Sequence, residues 1–159
     1  MGQFTESLQL LKQDPGENPN IWGDAHNNQM IDLVDEAVAG SKVIDMTGIT
    51  DYTLSDDAGA SNEARLACIV LEGFPPAGTI TVNVPNRQKL YAFFNGTPKV
   101  ISIKPQGGVG VDLPFFPAQR WITIDSTLNQ AFLLEASGRN HVLPFIGRSE
   151  EHTSELQSR

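Results

Sequence analysis

At 159 residues with 40% hydrophobic content, the chain is long enough for one domain with a real core. Its net charge of -8, with Lys and Arg scattered as singletons, leaves no basic stripe for nucleic-acid phosphates or an anionic membrane. The single cysteine, Cys68, rules out a disulfide within the chain, and no apolar run approaches the roughly 20 residues of a membrane span.

The start, "MGQFTESLQLLKQDPGENP", has neither the basic opening nor the apolar core of a secretory signal, and the hydroxyl of Ser7 stands one place too late for myristoylation. A soluble product made in the cytoplasm is expected. Gln3 to Lys12 suits a short strand or a helical turn equally. Pro15-Gly16 marks a reversal, and Asn18-Pro19 has the preferences of a helix start. From there Trp22, His26, Met30, Leu33, Ala37 and Gly40 recur at steps of three and four, widened by Ile31, Val34 and Val38, while most acidic residues fall on the other side. A stripe this wide predicts one amphipathic helix that must be buried.

From Ser41 the period changes to two. "KVIDMTG" sets Val43 and Asp45 against Ile44 and Met46, and "DYTLS" sets Tyr52 and Leu54 against Asp51 and Thr53. "SDDAGASNEAR" reads as loop, and the apolar run "ARLACIVLEG" suits a central strand in which Cys68 is a small buried thiol. "GTITVNVPN" alternates Ile80, Val82 and Val84 and stops at Pro85. "KLYAFFNGTPKVISIKP" reads as two strands joined by a hairpin at Asn95-Gly96. A Gly-rich turn at residues 107–110, further short strands and a turn at residues 126–129 complete the pattern. The spacing predicts an α+β, mainly β fold: a segment 1–40 carrying the helix, then a small antiparallel β-sandwich or roll over 41–147.

The last twelve residues, "RSEEHTSELQSR", carry neither alternation nor a turn signal. Arg148 to Arg159 resembles a translated sequencing adapter along its whole length, as in a reading frame assembled from environmental (metagenomic) DNA. The expectation is a non-native disordered tail over 148–159 and a natural chain that continues past Gly147.

The stretches "ENPNIWGDAHNNQMIDLVDEAVAG", "ITDYTLSDDAGASNEARLACIVLEG", "TITVNVPNRQKLYAFFNGT" and "VISIKPQGGVGVDLP" together resemble a module met in bacteriophage tail fibres and tail-associated structural proteins. The resemblance covers roughly Thr5 to Phe132. Its most distinctive parts are Trp22-Gly23-Asp24 before the helix and Lys89-Leu90-Tyr91 in a strand. The chain departs from the pattern at "LPFFPAQRWITID", where Phe115 and Phe116 leave a loop tip unusually apolar. The family implies a homotrimer in the virion tail, joined to other tail proteins and carrying a distal part that meets a host surface glycan. Trp22, Asn27, Met30, Leu33, Val34 and Ala37 would then be interface residues, with Asn27 or Asn28 setting register. Equally, the helix could lie across its own sheet and bury the stripe within one chain.

No reacting group stands out beside this. His26 and His141 have no partner at zinc spacing, and Asp56-Asp57 with Asn62 and Glu63 does not follow a calcium loop. The glycines at 107–110 do not open a helix, so they make no phosphate cradle, and Asp125-Ser126 has no nearby His. Tyr91, Phe93, Phe94, Phe115, Phe116 and Trp121 could stack on sugars, but alternation turns at least half of them inward. No enzyme, metal or cofactor is expected. The readings carried forward are a truncated structural fragment of a tail fibre that serves host attachment, a carbohydrate-binding β-sandwich, and a piece of a capsule-degrading tailspike.

Overall fold

A computed structural model describes residues 3–12, 20, 22–26, 30–115 and 118–134. Gln3–Phe4 (β1) and Leu11–Lys12 (β2), the stretch that suited strand or helix equally, pair as a small antiparallel hairpin. Thr5 holds its turn: the hydroxyl accepts from the Leu10 N–H at 2.9 Å, and the carbonyl accepts from the Gln9 N–H and side-chain amide.

Helix is found at Trp22–His26 (α1) and Asp32–Ala39 (α2), with Met30 and Ile31 entering α2 in π-helical geometry. Asn27 and Asn28, the expected register-setters, lie outside the described residues, as do His141, Phe116 and the tail 148–159. Gly40 ends α2 with extended backbone, and its N–H donates to the Glu36 carbonyl at 2.9 Å. A Cβ there would stand 2.4 Å from that carbonyl and 2.6 Å from the Leu66 side chain, so only glycine permits this close exit into the first long strand.

Among the described residues nine strands follow: Ser41–Asp45 (β3), Asp51–Thr53 (β4), Cys68–Glu72 (β5), Ile80–Val84 (β6), Lys89–Asn95 (β7), Ile101–Pro105 (β8), Val111–Leu113 (β9), Ala118–Asp125 (β10) and Gln130–Leu134 (β11). They form a five-stranded sheet in the order β11-β10-β7-β5-β3 and a four-stranded sheet in the order β4-β6-β8-β9. The fold is mainly β, with helix ahead of two mixed sheets.

The antiparallel domain expected from the sequence is corrected here. β3, β5 and β7 are parallel to one another, as are β4, β6 and β8; only β8–β9, β7–β10 and β10–β11 among the long strands are antiparallel. The reason lies in the path. Each strand from β3 to β7 is followed by one in the other sheet, so the chain re-enters its first sheet already running the same way. Periodicity fixes which side chains are buried, but it does not record which sheet the next strand joins.

The expected hairpin at Asn95-Gly96 is a second correction, because β7 and β8 belong to different sheets. Asn95 is fully buried and does not serve as a tight-turn residue. Its side-chain amide donates to the carbonyls of Lys99 at 2.8 Å and Pro114 at 2.7 Å, and its carbonyl oxygen accepts from the N–H and hydroxyl of Thr97. These bonds supply partners inside the protein for backbone groups that a hairpin would have paired across its ladder.

Both sheets feed one buried cluster. Ile44, Leu71, Phe93 and Ile122 come from the larger sheet, and Ile80, Val82, Ile103 and Leu113 from the smaller. At about 1.5–3 kcal/mol for each large side chain removed from water, this cluster supplies the main driving force for folding. Ile44, Met46, Leu54, Ile80, Val82 and Val84 are buried as the alternation required. Cys68 is a correction: it is half-buried on the outer side of its sheet.

Candidate functional site

Three regions gather chemistry, and the first is polar. Asn62 caps a single 3-10 turn, Glu63–Arg65: its side-chain oxygen accepts from the Arg65 N–H at 2.9 Å, while its amide donates to the carbonyls of Asp57 and Ala60. The turn draws Arg65 inward until it is 2% exposed. There Nε donates to the Leu8 carbonyl at 3.0 Å, tying the β1–β2 hairpin to this loop, and Nη1 donates to Ala60. Lys89 arrives from β7 and gives its amine protons to the carbonyls of Ala64, Arg65 and Leu66, 4.4 Å above the Tyr91 ring. The Tyr91 hydroxyl donates to the Ala64 carbonyl at 2.8 Å, and Arg87 pairs with Asp56.

Burial, and then the charge of Arg65, draw the Lys89 pKa down to about 7, against the opposing charge of Asp56. Burial likewise lowers Arg65 and raises Tyr91. These groups enclose about 10 Å³, room for a single water and no small organic molecule. The three carbonyls take all three protons of the charged Lys89 amine. The arrangement clamps loops together. Nearby Tyr52, expected to face inward, donates to Glu63 at 2.8 Å; burial first, and then that carboxylate, raise its pKa to about 12. Asp56, Asn62 and Glu63 are thus engaged by Arg87, the turn and Tyr52. Among the described residues no three His, Cys, Asp or Glu stand together as a metal site.

The second region is α2. Residues at 31, 34 and 38 share a face by their spacing, and residues at 30, 33 and 37 share another, about 100° round the axis. The structure separates these two seams. Leu33 is 3% exposed within a single chain, with Met30 and Ala37 half-buried beside it, whereas Ile31, Val34 and Val38 are 52%, 41% and 74% exposed. Of the six residues expected at an interface, Val34 alone is shown exposed; Trp22 opens α1, and Asn27 is outside the described residues. The sequence stripe merged both seams because together they span one broad apolar arc. His26 is half-buried.

The third region was not singled out from sequence. Strand alternation sends Cys68, Ala92, Trp121 and Leu134, paired in that order across β5, β7, β10 and β11, to the outer face of the larger sheet. The parallel row is Val43, Val70, Phe94 and Gln119, and Leu90, Thr123 and Phe132 make the next. Trp121 is 50% exposed, and Val43, Leu90 and Leu134 are exposed with it. Asp45 and Glu72 bound this band at one end and Asp125 at the other, and no cation lies on it among the described residues. The usable signal was the alternation of "QRWITID", which puts Trp121 opposite in sense to Ile122 and Ile124. Of the other aromatics, Tyr91 and Phe93 are in the core, Phe94 is half-buried and Phe115 is exposed.

The geometry therefore offers two open apolar surfaces and one closed polar clamp. No helix among the described residues is long and apolar enough to cross a membrane. Compared with known proteins, the chain matches no family model, no curated protein and no solved structure.

Proposed function

We propose that this chain is a structural module of a bacteriophage tail fibre or tail-attached protein, trimeric in the virion, that connects or spaces a distal host-recognition part. The two sheets, sharing one buried cluster, read as a β-sandwich, and no enzymatic role is assigned. The observation that carries this reading is the open seam Ile31, Val34 and Val38: a helix that joins subunits needs an apolar face left uncovered in one chain. The sequence resemblance at Trp22-Gly23-Asp24 and Lys89-Leu90-Tyr91 supplies the family. The experiment is the solution mass of the full chain by sedimentation, beside Val34→Asp. A trimer that Val34→Asp converts to folded monomer supports the reading, and a monomeric wild type removes it.

A carbohydrate-binding module is the second reading, favoured by exposed Trp121 in the same strand face as Gln119 and Thr123. A sugar ring would stack on the indole while those side chains take its hydroxyls. Titration of the chain with neutral oligosaccharides, following Trp fluorescence, tests it; an unchanged spectrum at millimolar sugar would count against it.

A further inference from the structure

We propose that the recess between the β1–β2 hairpin and the Glu63–Arg65 turn binds one monatomic anion, a halide such as chloride, on the buried guanidinium of Arg65 and in the field of Arg87 and Lys89. The site goes beyond the tail-module reading and does not depend on it.

Arg65 supplies the donor. Its guanidinium is a planar fork in which Nε and Nη2 share one edge. Nε donates to the Leu8 carbonyl at 3.0 Å, so that edge faces the hairpin, whose residues Ser7, Leu8 and Gln9 wall the recess. Nη2, on the same edge of a residue only 2% exposed, is buried with no partner in the protein. A charged donor left in this way weakens the fold unless a ligand takes its protons.

Charge decides what that ligand is. Arg65, Arg87 and Lys89 line the recess, and Asp56 is the one carboxylate among the described residues that line it. Glu36 acts on Arg65 from α2, so three cations stand against two carboxylates and one positive charge is left over. The surplus is felt at Lys89, whose pKa is lowered first by burial and then by the charge of Arg65. Water would take the Nη2 protons but leave that charge, and a cation is repelled. Size completes the choice: about 10 Å³ holds one water-sized body, which excludes a phosphate or an organic acid and leaves a monatomic anion. Bound there, the anion adds a second tie between hairpin and turn beside the bond from Arg65 to Leu8.

The test follows the full chain in sodium chloride, with ionic strength held constant by sodium gluconate, whose anion is too large for the recess. The thermal midpoint should climb with chloride and level off as one site fills, and the protein should broaden the chloride NMR line. Arg65→Met, checked by circular dichroism for retained fold, should abolish both effects. Arg87→Gln touches none of the hydrogen bonds of Arg65, and it should weaken chloride about tenfold or more, as loss of one nearby charge does. Equal midpoints in chloride and gluconate with no broadening would mean that the recess holds water alone. Chloride binding that Arg87→Gln leaves unchanged would mean a halide held elsewhere on the chain. Either result overturns the proposal, and neither bears on the oligomeric mass that tests the tail-module reading.

Discussion

The clamp around Arg65 and the outer face around Trp121 treat their chemistry in opposite ways. In the clamp, three cations and a tyrosine are brought together and held by carbonyls and a carboxylate of the same chain, with Nη2 of Arg65 left buried without a partner. On the outer face, a tryptophan and several aliphatic side chains are brought together and left facing solvent. A perturbed lysine in a recess draws the eye as a reactive group, yet its hydrogen bonds show it holding loops in place. The flat face has no reacting group at all, and it is where the chain has binding energy left to give.

Substitutions can break this contrast, and the largest effect should come from the clamp. Arg65→Met leaves the Leu8 carbonyl without its donor, takes one of two donors from the Ala60 carbonyl and frees the β1–β2 hairpin, so chemical denaturation should show a loss of about 3 kcal/mol. Asn95→Leu comes next: it strips partners from the Lys99 and Pro114 carbonyls inside the protein, and thermal unfolding should report about 2 kcal/mol. Both would be expected to leave the Trp121 surface chemically intact, so any assembly that survives at low temperature should keep the wild-type stoichiometry.

A pH series sharpens the comparison at smaller amplitude. The folded pKa of Lys89 lies at about 7, below its ordinary 10.5. Between these values the unfolded chain binds the extra proton, so this group makes stability rise as pH climbs from about 7 to 10.5. Lys89→Met should flatten that rise, measured as the difference between two denaturation series. Tyr52 acts in the opposite sense: its pKa is raised to about 12, so its contribution is complete below pH 10 and is lost toward 12, and Tyr52→Phe should remove that alkaline loss. The smallest effect on folding belongs to the outer face. Trp121→Gln should change monomer stability by no more than about 0.5–1 kcal/mol, as an exposed position does.

The buried positions were legible in the sequence, since Ile44, Met46, Leu54, Ile80, Val82 and Val84 each follow from two-residue alternation. Strand direction was not, because parallel and antiparallel neighbours can share the same apolar pattern at this length. Asn95-Gly96 misled for a related reason: the pair carries strong hairpin chemistry, but the buried network of Asn95 and Thr97 overrides local preference. In α2 the spacing gave the apolar arc, yet only tertiary packing divides it into a covered seam at Leu33 and an open one at Ile31, Val34 and Val38. The clamp was invisible because Leu8, Arg65 and Lys89 are far apart in sequence and their contacts run through backbone carbonyls, which leave no residue signature.

The alternation of strands between two sheets also governs how the chain must find its fold. Neighbours in the parallel ladders, such as Ser41 with Cys68 and Ile80 with Ile101, are roughly 20 to 30 residues apart, so each pairing closes a long loop before any ladder energy returns. β10 and β11 close through a single turn. Local pairs form in microseconds while wound ones wait on chain diffusion, so the C-terminal hairpin is expected to form early and the winding from β3 to β8 to set the overall rate. During that wait apolar strands such as β5 are open to other chains, which makes this a protein whose yield on refolding should fall steeply with concentration.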